Sequence, residues 1–228
     1  MEIDFTSKIR AFDVDKITYE ETREELSKQA NNSFQVLKIN FDEVPIIEPP
    51  KNSSTSTKEE LYFIKSFQEE WTPSESLLKK CDDYPDGIVT DFCDKIYGGD
   101  SKKEYKISQV MEDVNVFIMR MKMFYKRARP YQLSEYHEID INFDKKMQNK
   151  GTANTPSYPS GHTASAFLAA NICGYFHPAA EKEFLRIAET VGKSRIKEGV
   201  HFQSDNEYSK ILVNQVLMPA YLSYSLNE

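Results

Sequence analysis

The chain has 228 residues, a formal charge of −7, 39% apolar and 29% charged residues, and a mean hydropathy of −0.60. Its apolar share, which includes 14 Phe and 13 Tyr, excludes a disordered polymer, and its charged share excludes one mostly embedded in a membrane. The acidic balance also argues against nonspecific nucleic-acid binding, which recruits phosphates with basic surface, so no nucleic-acid partner is expected.

A chain of this length can bury one substantial core, with a modest extension beside it. Residues 1–57 are predicted to form that extension. It holds a helix around 19–29, where Glu20, Glu21, Glu24 and Glu25 are interspersed with basic residues, and a linker at 48–57, where two prolines and a Ser/Thr tract discourage helix and burial. The first residues show no basic segment followed by an apolar one, so an intracellular, cytoplasmic location is the expectation. Residues 58–228 are predicted to form the main domain. Apolar periodicity there gives helices over 59–70, 110–127, 160–176, 179–195 and 204–223, with almost no strand-like alternation.

The expected fold class is therefore all-α, a helical bundle. Roughly 30 residues separate Arg129 from Pro159, which is long for a helix connection and marks 131–158 as a candidate active-site loop. The most apolar run, 211–222, is broken by Asn214 and Gln215 and falls short of the ~18–20 residues of a spanning helix, so it reads as a buried helix and no integral membrane segment is expected. Cys81, Cys93 and Cys173 are sparse and lack metal-ligand spacing, which implies buried thiols rather than a disulfide framework or a zinc site.

Three motifs carry chemistry. Lys122 and Arg129-Pro130 are seven residues apart, which on a helix is two turns, about 10 Å, on one face, although the proline forces Arg129 out of regular helix. Pro159-Ser160-Gly161-His162 reads as a helix start, with Ser160 as cap, Gly161 clearing space for a ligand and free N–H groups facing an anion. The same helix dipole disfavours a charged His162 unless a bound dianion restores it, which couples proton and phosphate binding. In Ser194-Arg195-x5-His201-x3-Asp205, the interval of four sets a carboxylate beside an imidazole, able to hold Nδ1–H and leave Nε2 as an oriented lone pair. Each motif has an ordinary alternative, respectively a solvated basic helix end, a plain cap and a surface His/Asp pair. Together they supply three cations, an anion cradle and two histidines of complementary use.

In order and spacing the three motifs resemble the tripartite signature of the type-2 phosphatidic acid phosphatase superfamily. The words Tyr158-Pro-Ser-Gly-His-Thr163 and Gly199-Val-His-Phe-Gln-Ser-Asp205 are similar to those of the bacterial class A nonspecific acid phosphatases, over roughly residues 105 to 210. The resemblance implies a helical bundle of the acid phosphatase/vanadium haloperoxidase type and hydrolysis of phosphate monoesters through a phosphohistidine on His201. Asp205 would orient that histidine, and His162 would act as general acid and then base. Lys122, Arg129, Ser160, Gly161 and Arg195 would bind the phosphoryl oxygens. No metal or other cofactor is expected, vanadate should inhibit by mimicking the transition state, and the partner is a small phosphorylated substrate. Class A relatives self-associate, so a homo-oligomer is also expected. Three readings compete: a vanadium-dependent haloperoxidase, a phosphatase for lipid phosphates or diphosphates, and a non-catalytic phosphate-binding module.

Overall fold

The structure is a computed structural model that describes residues 13–18, 24–143 and 153–226. It is all-α: among the described residues there is no strand, only one isolated antiparallel bridge between Thr18 and Arg127. In chain order the helices are α1 (Glu24–Asn31), α2 (Thr55–Glu70), α3 (Glu75–Asp83), α4 (Pro85–Tyr97), α5 (Ile107–Tyr125), α6 (Gly161–Phe176), α7 (Glu181–Lys197), α8 (Gln203–Leu212) and α9 (Met218–Leu226). One-turn helices lie at Ser101–Glu104 and Pro130–Leu133, and a π-turn, Val213–Leu217, joins α8 to α9.

The bundle is built around α6. Residues 163–170 and 172–174 of this helix are all buried, and Ala164, Ala166, Ala169, Ala170 and Gly174 let its neighbours approach closely. A helix apolar on nearly every side belongs inside a core. α7 and α4 pack along it most extensively, with α8, α5 and the π-turn completing the ring. Val110, Val114 and Phe117 from α5, Phe184, Ala188 and Val191 from α7 and Leu212, Val213 and Leu217 from the last helices fill the shared core.

α3 and α4 occupy a stretch where apolar periodicity predicts no helix. Local chemistry accounts for both: the Ser74 hydroxyl caps α3 by accepting from Leu77 N at 3.3 Å, and Pro85 opens α4 at its first position, where a missing N–H costs nothing. α2 begins at Thr55 rather than 59, because Ser54 caps it through Thr57 N at 3.2 Å. The expected helix at 19–29 is observed from Glu24 to Asn31, and residues 19–23 lie outside the described residues. The run at 211–222 is one-sided rather than wholly buried, with Asn214 and Gln215 exposed opposite Leu212, Val213, Val216 and Leu217.

Residues 35–47 lie along the bundle and are tied to it by specific bonds. Asp113 of α5 accepts from the backbone N–H of Gln35, Val36 and Leu37 at 2.7, 2.8 and 2.7 Å. Tyr208 donates to Pro45 O at 2.7 Å, Tyr158 donates to Ile47 O at 2.9 Å, and Ile47 N donates to Tyr125 Oη at 3.1 Å.

Candidate active site

Three chain segments meet at the N-terminal end of α6, and local sequence explains each. α6 starts where Ser160 holds extended backbone, φ −78° and ψ 113°, and its hydroxyl accepts from Thr163 N at 3.4 Å. α8 is locked to this start: Ser209 Oγ donates to Ser160 O at 2.9 Å, and Thr163 Oγ1 donates to Asn206 Oδ1 at 2.7 Å. α5 ends at Tyr125 because Lys126 turns left-handed, φ 49°. Only Lys122 therefore sits on that helix. Arg129, held extended before Pro130 at φ −80° and ψ 157°, reaches the same place from beyond the turn, not from the shared helical face that a spacing of seven suggests.

A cavity of about 210 Å³ opens at this junction, and Lys122, Gly161, His162 and His201 line it together, with Thr155 from the long connection beside them. A Cβ placed on Gly161 would only touch Ile118 Cγ2 at 3.5 Å. The absent side chain is thus not demanded by protein packing and serves as open space in the cavity wall.

Behind His201 stands Asp205, fully buried. Its Oδ2 accepts from His201 Nδ1 at 3.0 Å, from Phe202 N at 2.9 Å and from the Ser157 hydroxyl, while Oδ1 takes Arg127 NH1 at 2.6 Å. Burial by itself would raise the pKa of this carboxyl. The Arg127 guanidinium and the hydrogen bonds from His201 and Ser157 outweigh it and hold Asp205 far below the usual carboxylate range. An ionised carboxylate only accepts, so Nδ1 of His201 bears the proton. On the opposite edge Arg129 NH1 lies 3.1 Å from His201 Nε2, and because a guanidinium only donates, Nε2 presents its lone pair. Burial, then the Arg129 charge, lower the pKa of His201 well below its ordinary value, so the ring is neutral near pH 7.

The cations are crowded. Arg129 donates from Nε to Thr155 O at 2.9 Å, from NH2 to Thr155 Oγ1 at 3.1 Å and from NH1 to Val200 O at 2.6 Å. Lys122 Nζ donates to the carbonyls of Pro156 and Ser157, and burial followed by the Arg129 charge lowers its pKa well below the ordinary lysine value. Such a site favours a bound anion, which relieves both terms. The 131–158 connection thus reaches the site through Thr155, Pro156 and Ser157; its residues 144–152 lie outside the described residues.

His162 stands on the other wall with 14% of its side chain exposed. Its Nε2 donates to Asp82 O at 3.0 Å, with Asp82 Oδ1 at 3.5 Å. Burial first and the Arg195 charge second push its pKa down to about 4, against the opposing pull of Asp82. Of the predicted phosphate ligands, Arg129, Ser160 and Arg195 do not line the cavity; Arg129 stands beside its wall, at His201 Nε2. Ser160 is fully buried and its hydroxyl is engaged by Thr163 N and Oγ1. Arg195 is joined to His162 through Asp82: its NH1 pairs with Asp82 Oδ1 at 2.9 Å and Glu198 Oε2 at 2.6 Å, while its buried Nε has no hydrogen-bond partner among the described residues.

Sequence reasoning missed Asp82, Glu60, Arg127, Thr155 and Ser157 as parts of this network. Glu60 takes Arg127 NH2 at 2.9 Å and Ser204 N at 2.7 Å, although 144 positions separate it from Ser204. No spacing could have flagged Asp82 or Glu60, whereas Arg127 lay inside the first motif as one more basic residue of a helix end. His137 and His177 lie elsewhere, bonded through Nε2 to Asn52 O and Tyr105 Oη, each at 2.7 Å. No group of three or more His, Cys, Asp or Glu side chains among the described residues is placed to hold a metal ion.

The chain is similar to known proteins over the segment that holds these motifs. The model of the PAP2 superfamily matches residues 109–215. A non-specific acid phosphatase of Providencia stuartii is 28% identical over 109 residues, 47% of this chain and 42% of that protein. One from Salmonella typhi is 33% identical over 84 residues, 37% of this chain and 32% of that protein. The chain thus matches less than half the length of these relatives. The motifs at 122–130, 159–162 and 194–205 all lie inside the segment, residues 109–215, that resembles the PAP2 superfamily.

Proposed function

We propose that this chain hydrolyses phosphate monoesters through a covalent phosphohistidine on His201, without a metal ion. The observation that carries the reading is the pair of contacts on His201, Asp205 at Nδ1 and Arg129 at Nε2, which leaves a neutral ring with its lone pair held by Arg129, at the wall of a cavity that His201 lines with Lys122 and His162. The non-specific acid phosphatases that resemble the chain support the same class of reaction.

In the first step a phosphoryl oxygen takes the Arg129 NH1 donor, and His201 Nε2 attacks phosphorus in line with the ester oxygen. The N–P bond forms as the P–O bond breaks, and the proton on His162 passes to the departing alkoxide. Asp205 stabilises the positive charge that grows on His201. In the second step water attacks phosphorus, His162 accepts its proton, the N–P bond breaks and inorganic phosphate leaves. Lys122 and Arg129, with N–H groups at the start of α6, hold the oxygens on which charge spreads. Arg195 acts through Asp82 and His162. Vanadate, as a mimic of the five-coordinate phosphorus, is an inhibitor in this scheme.

The proton accounting follows from His162. With a pKa pushed down to about 4 it is neutral in the free protein near pH 7, and a bound dianion supplies the negative charge that lets it keep a proton. The productive pair is protonated His162 with dianionic ester, whose second ionisation is near ~6. Activity expressed as kcat/KM should be level between about pH 4 and ~6 and fall tenfold per unit above that.

The test is hydrolysis of p-nitrophenyl phosphate in excess EDTA, with the native chain and His201→Ala compared, and a rapid quench with labelled substrate. Turnover in EDTA, an acid-labile phosphoprotein and loss of both in the variant are expected. Activity that requires added metal, or that survives in His201→Ala, sinks the proposal.

A further inference from the structure

The residues around the cavity divide by chemistry. Lys122, Thr155, Gly161, His162 and His201 make the phosphoryl end, and the remaining lining residues are Gln29, Pro85, Asn115, Ile118, Met119 and Ser165. Within the second group Asn115 is exposed and Gln29 and Pro85 are half-buried, whereas Ile118, Met119 and Ser165 are buried and His201 lies buried at the phosphoryl end, so a leaving group directed to solvent passes Gln29, Pro85 and Asn115. Along α5, Asn115, Ile118, Met119 and Lys122 recur at intervals of three and four and so share one face, with Asn115 about 10 Å from Lys122 along the axis.

Gln29 belongs to α1, outside the segment 109–215 that matches the superfamily. Its placement is fixed by α5 from two sides. Arg120 donates from Nε to Ala30 O at 2.8 Å and from NH2 to Asn32 O at 2.6 Å, which caps the carbonyl end of α1. Asp113 holds the following strap at the N–H groups of residues 35–37.

We propose that Gln29 and Asn115 form a leaving-group subsite that selects phosphate monoesters of small, uncharged, hydroxyl-bearing alcohols over esters whose leaving group is itself a phosphate. The inference rests on the phosphatase reading above and names the substrate class of that site. None of these six residues carries a charge, so a second phosphate finds no cation among them to offset its loss of water. A carboxamide both donates and accepts, which matches a hydroxyl in either role, and Pro85, Ile118 and Met119 offer an apolar wall to the carbon face of a sugar-like ring. Size points the same way. A cavity of about 210 Å³ lies below the ~300–1,000 Å³ of pockets for drug-sized ligands.

The test compares ribose 5-phosphate, phenyl phosphate and inorganic pyrophosphate as substrates of the full chain. The native chain should favour ribose 5-phosphate over pyrophosphate by at least about tenfold in kcat/KM. Gln29→Ala and Asn115→Ala should each lower the ratio of ribose 5-phosphate to phenyl phosphate about twofold to tenfold, the range for one neutral hydrogen bond. Gln29→Lys, which adds a cation at the mouth, should raise the ratio of pyrophosphate to ribose 5-phosphate. A native preference for pyrophosphate, or ratios that do not move in the three variants while phenyl phosphate is hydrolysed, overturns the subsite and leaves the phosphatase reading standing. Hydrolysis of none of the three by the native chain overturns that reading and the subsite with it.

Discussion

Two walls of the cavity are built from the same series of groups and differ in how tightly the series is closed. On one wall His201 meets Asp205 at 3.0 Å, Asp205 meets Arg127 at 2.6 Å and Arg127 meets Glu60 at 2.9 Å. On the other, His162 has Asp82 Oδ1 only at 3.5 Å, and Asp82 meets Arg195 at 2.9 Å, which meets Glu198 at 2.6 Å. The first carboxylate grips the imidazole N–H directly and is fully buried. The second stands off while its own backbone carbonyl takes the ring proton at 3.0 Å. A nucleophile needs one tautomer and a carboxylate ready for the charge that develops, whereas a group that gives and takes a proton within one turnover needs a ring whose pKa can follow the ligand. The difference between the walls fits that division of labour.

Removing the carboxylate charge from the tight wall should have the largest effect. Asp205→Asn loses the charge that stabilises imidazolium and allows the wrong His201 tautomer, so kcat should fall on the order of 10⁴-fold, as for the equivalent change in a Ser-His-Asp triad. Single-turnover phosphorylation measured with p-nitrophenyl phosphate checks it, with circular dichroism to show that the variant is folded. A fall of less than tenfold would mean that the two walls do not differ in the way described.

His162→Ala comes next, and its effect should depend on the leaving group. For an alkyl phosphate, whose alkoxide must be protonated as it leaves, kcat should drop about 10²- to 10⁴-fold. For p-nitrophenyl phosphate, whose phenolate leaves unaided, the drop in phosphorylation rate should be much smaller. Equal losses on the two substrates would remove His162 from the acid role.

Arg127→Met tests the outer part of the tight wall through stability. The guanidinium has 1% side-chain exposure and joins two carboxylates, so its loss should cost about 3–5 kcal/mol in urea unfolding. The pH dependence has a definite sign. The folded-state pKa of Asp205 is depressed, so its stabilisation is present above the unfolded value of about 3.8 and is lost as pH falls through the folded value. Without Arg127, burial dominates and raises that folded value, so acid unfolding of the variant should begin at higher pH. An unchanged acid midpoint would show that Arg127 does not hold Asp205 ionised.

The contrast between the walls also separates what was legible in the sequence from what was not. Lys122, His162, His201 and Asp205 could be read because their chemistry is carried by short spacings and helix starts, which constrain side chains within a few residues. The five segments predicted from apolar periodicity correspond to α2, α5, α6, α7 and the run of α8 and α9, apart from the π-turn that interrupts the last of them. α3 and α4 were not, because a nine-residue helix and one opened by proline leave little periodic signal, and with them went Asp82 and Pro85. Glu60 and Gln29 were invisible for a different reason: each reaches the site through tertiary packing from a segment more than 60 positions from the first motif. Arg195 shows the converse. Its motif predicted a direct phosphate ligand, and the structure places it in an ion pair with Asp82, where its charge acts on His162.

The smallest and sharpest effect is expected at that loose wall. Asp82 is the group that raises the pKa of His162 against burial and Arg195, and the balance of the three sets it at about 4. Asp82→Asn removes the negative charge and leaves Arg195 less shielded, and both changes lower the pKa further. In the proposed mechanism the productive state pairs protonated His162 with dianionic ester, so a lower pKa should reduce the level part of the kcat/KM profile and move its acid edge below pH 4, while the alkaline edge, set by the ester, stays near ~6. The loss should be within about tenfold, one unit of pKa being one factor of ten in the protonated fraction. If the level part and both edges stayed in place, Asp82 would be a structural partner of Arg195 only, and the proton on His162 would have to be controlled by the phosphate alone.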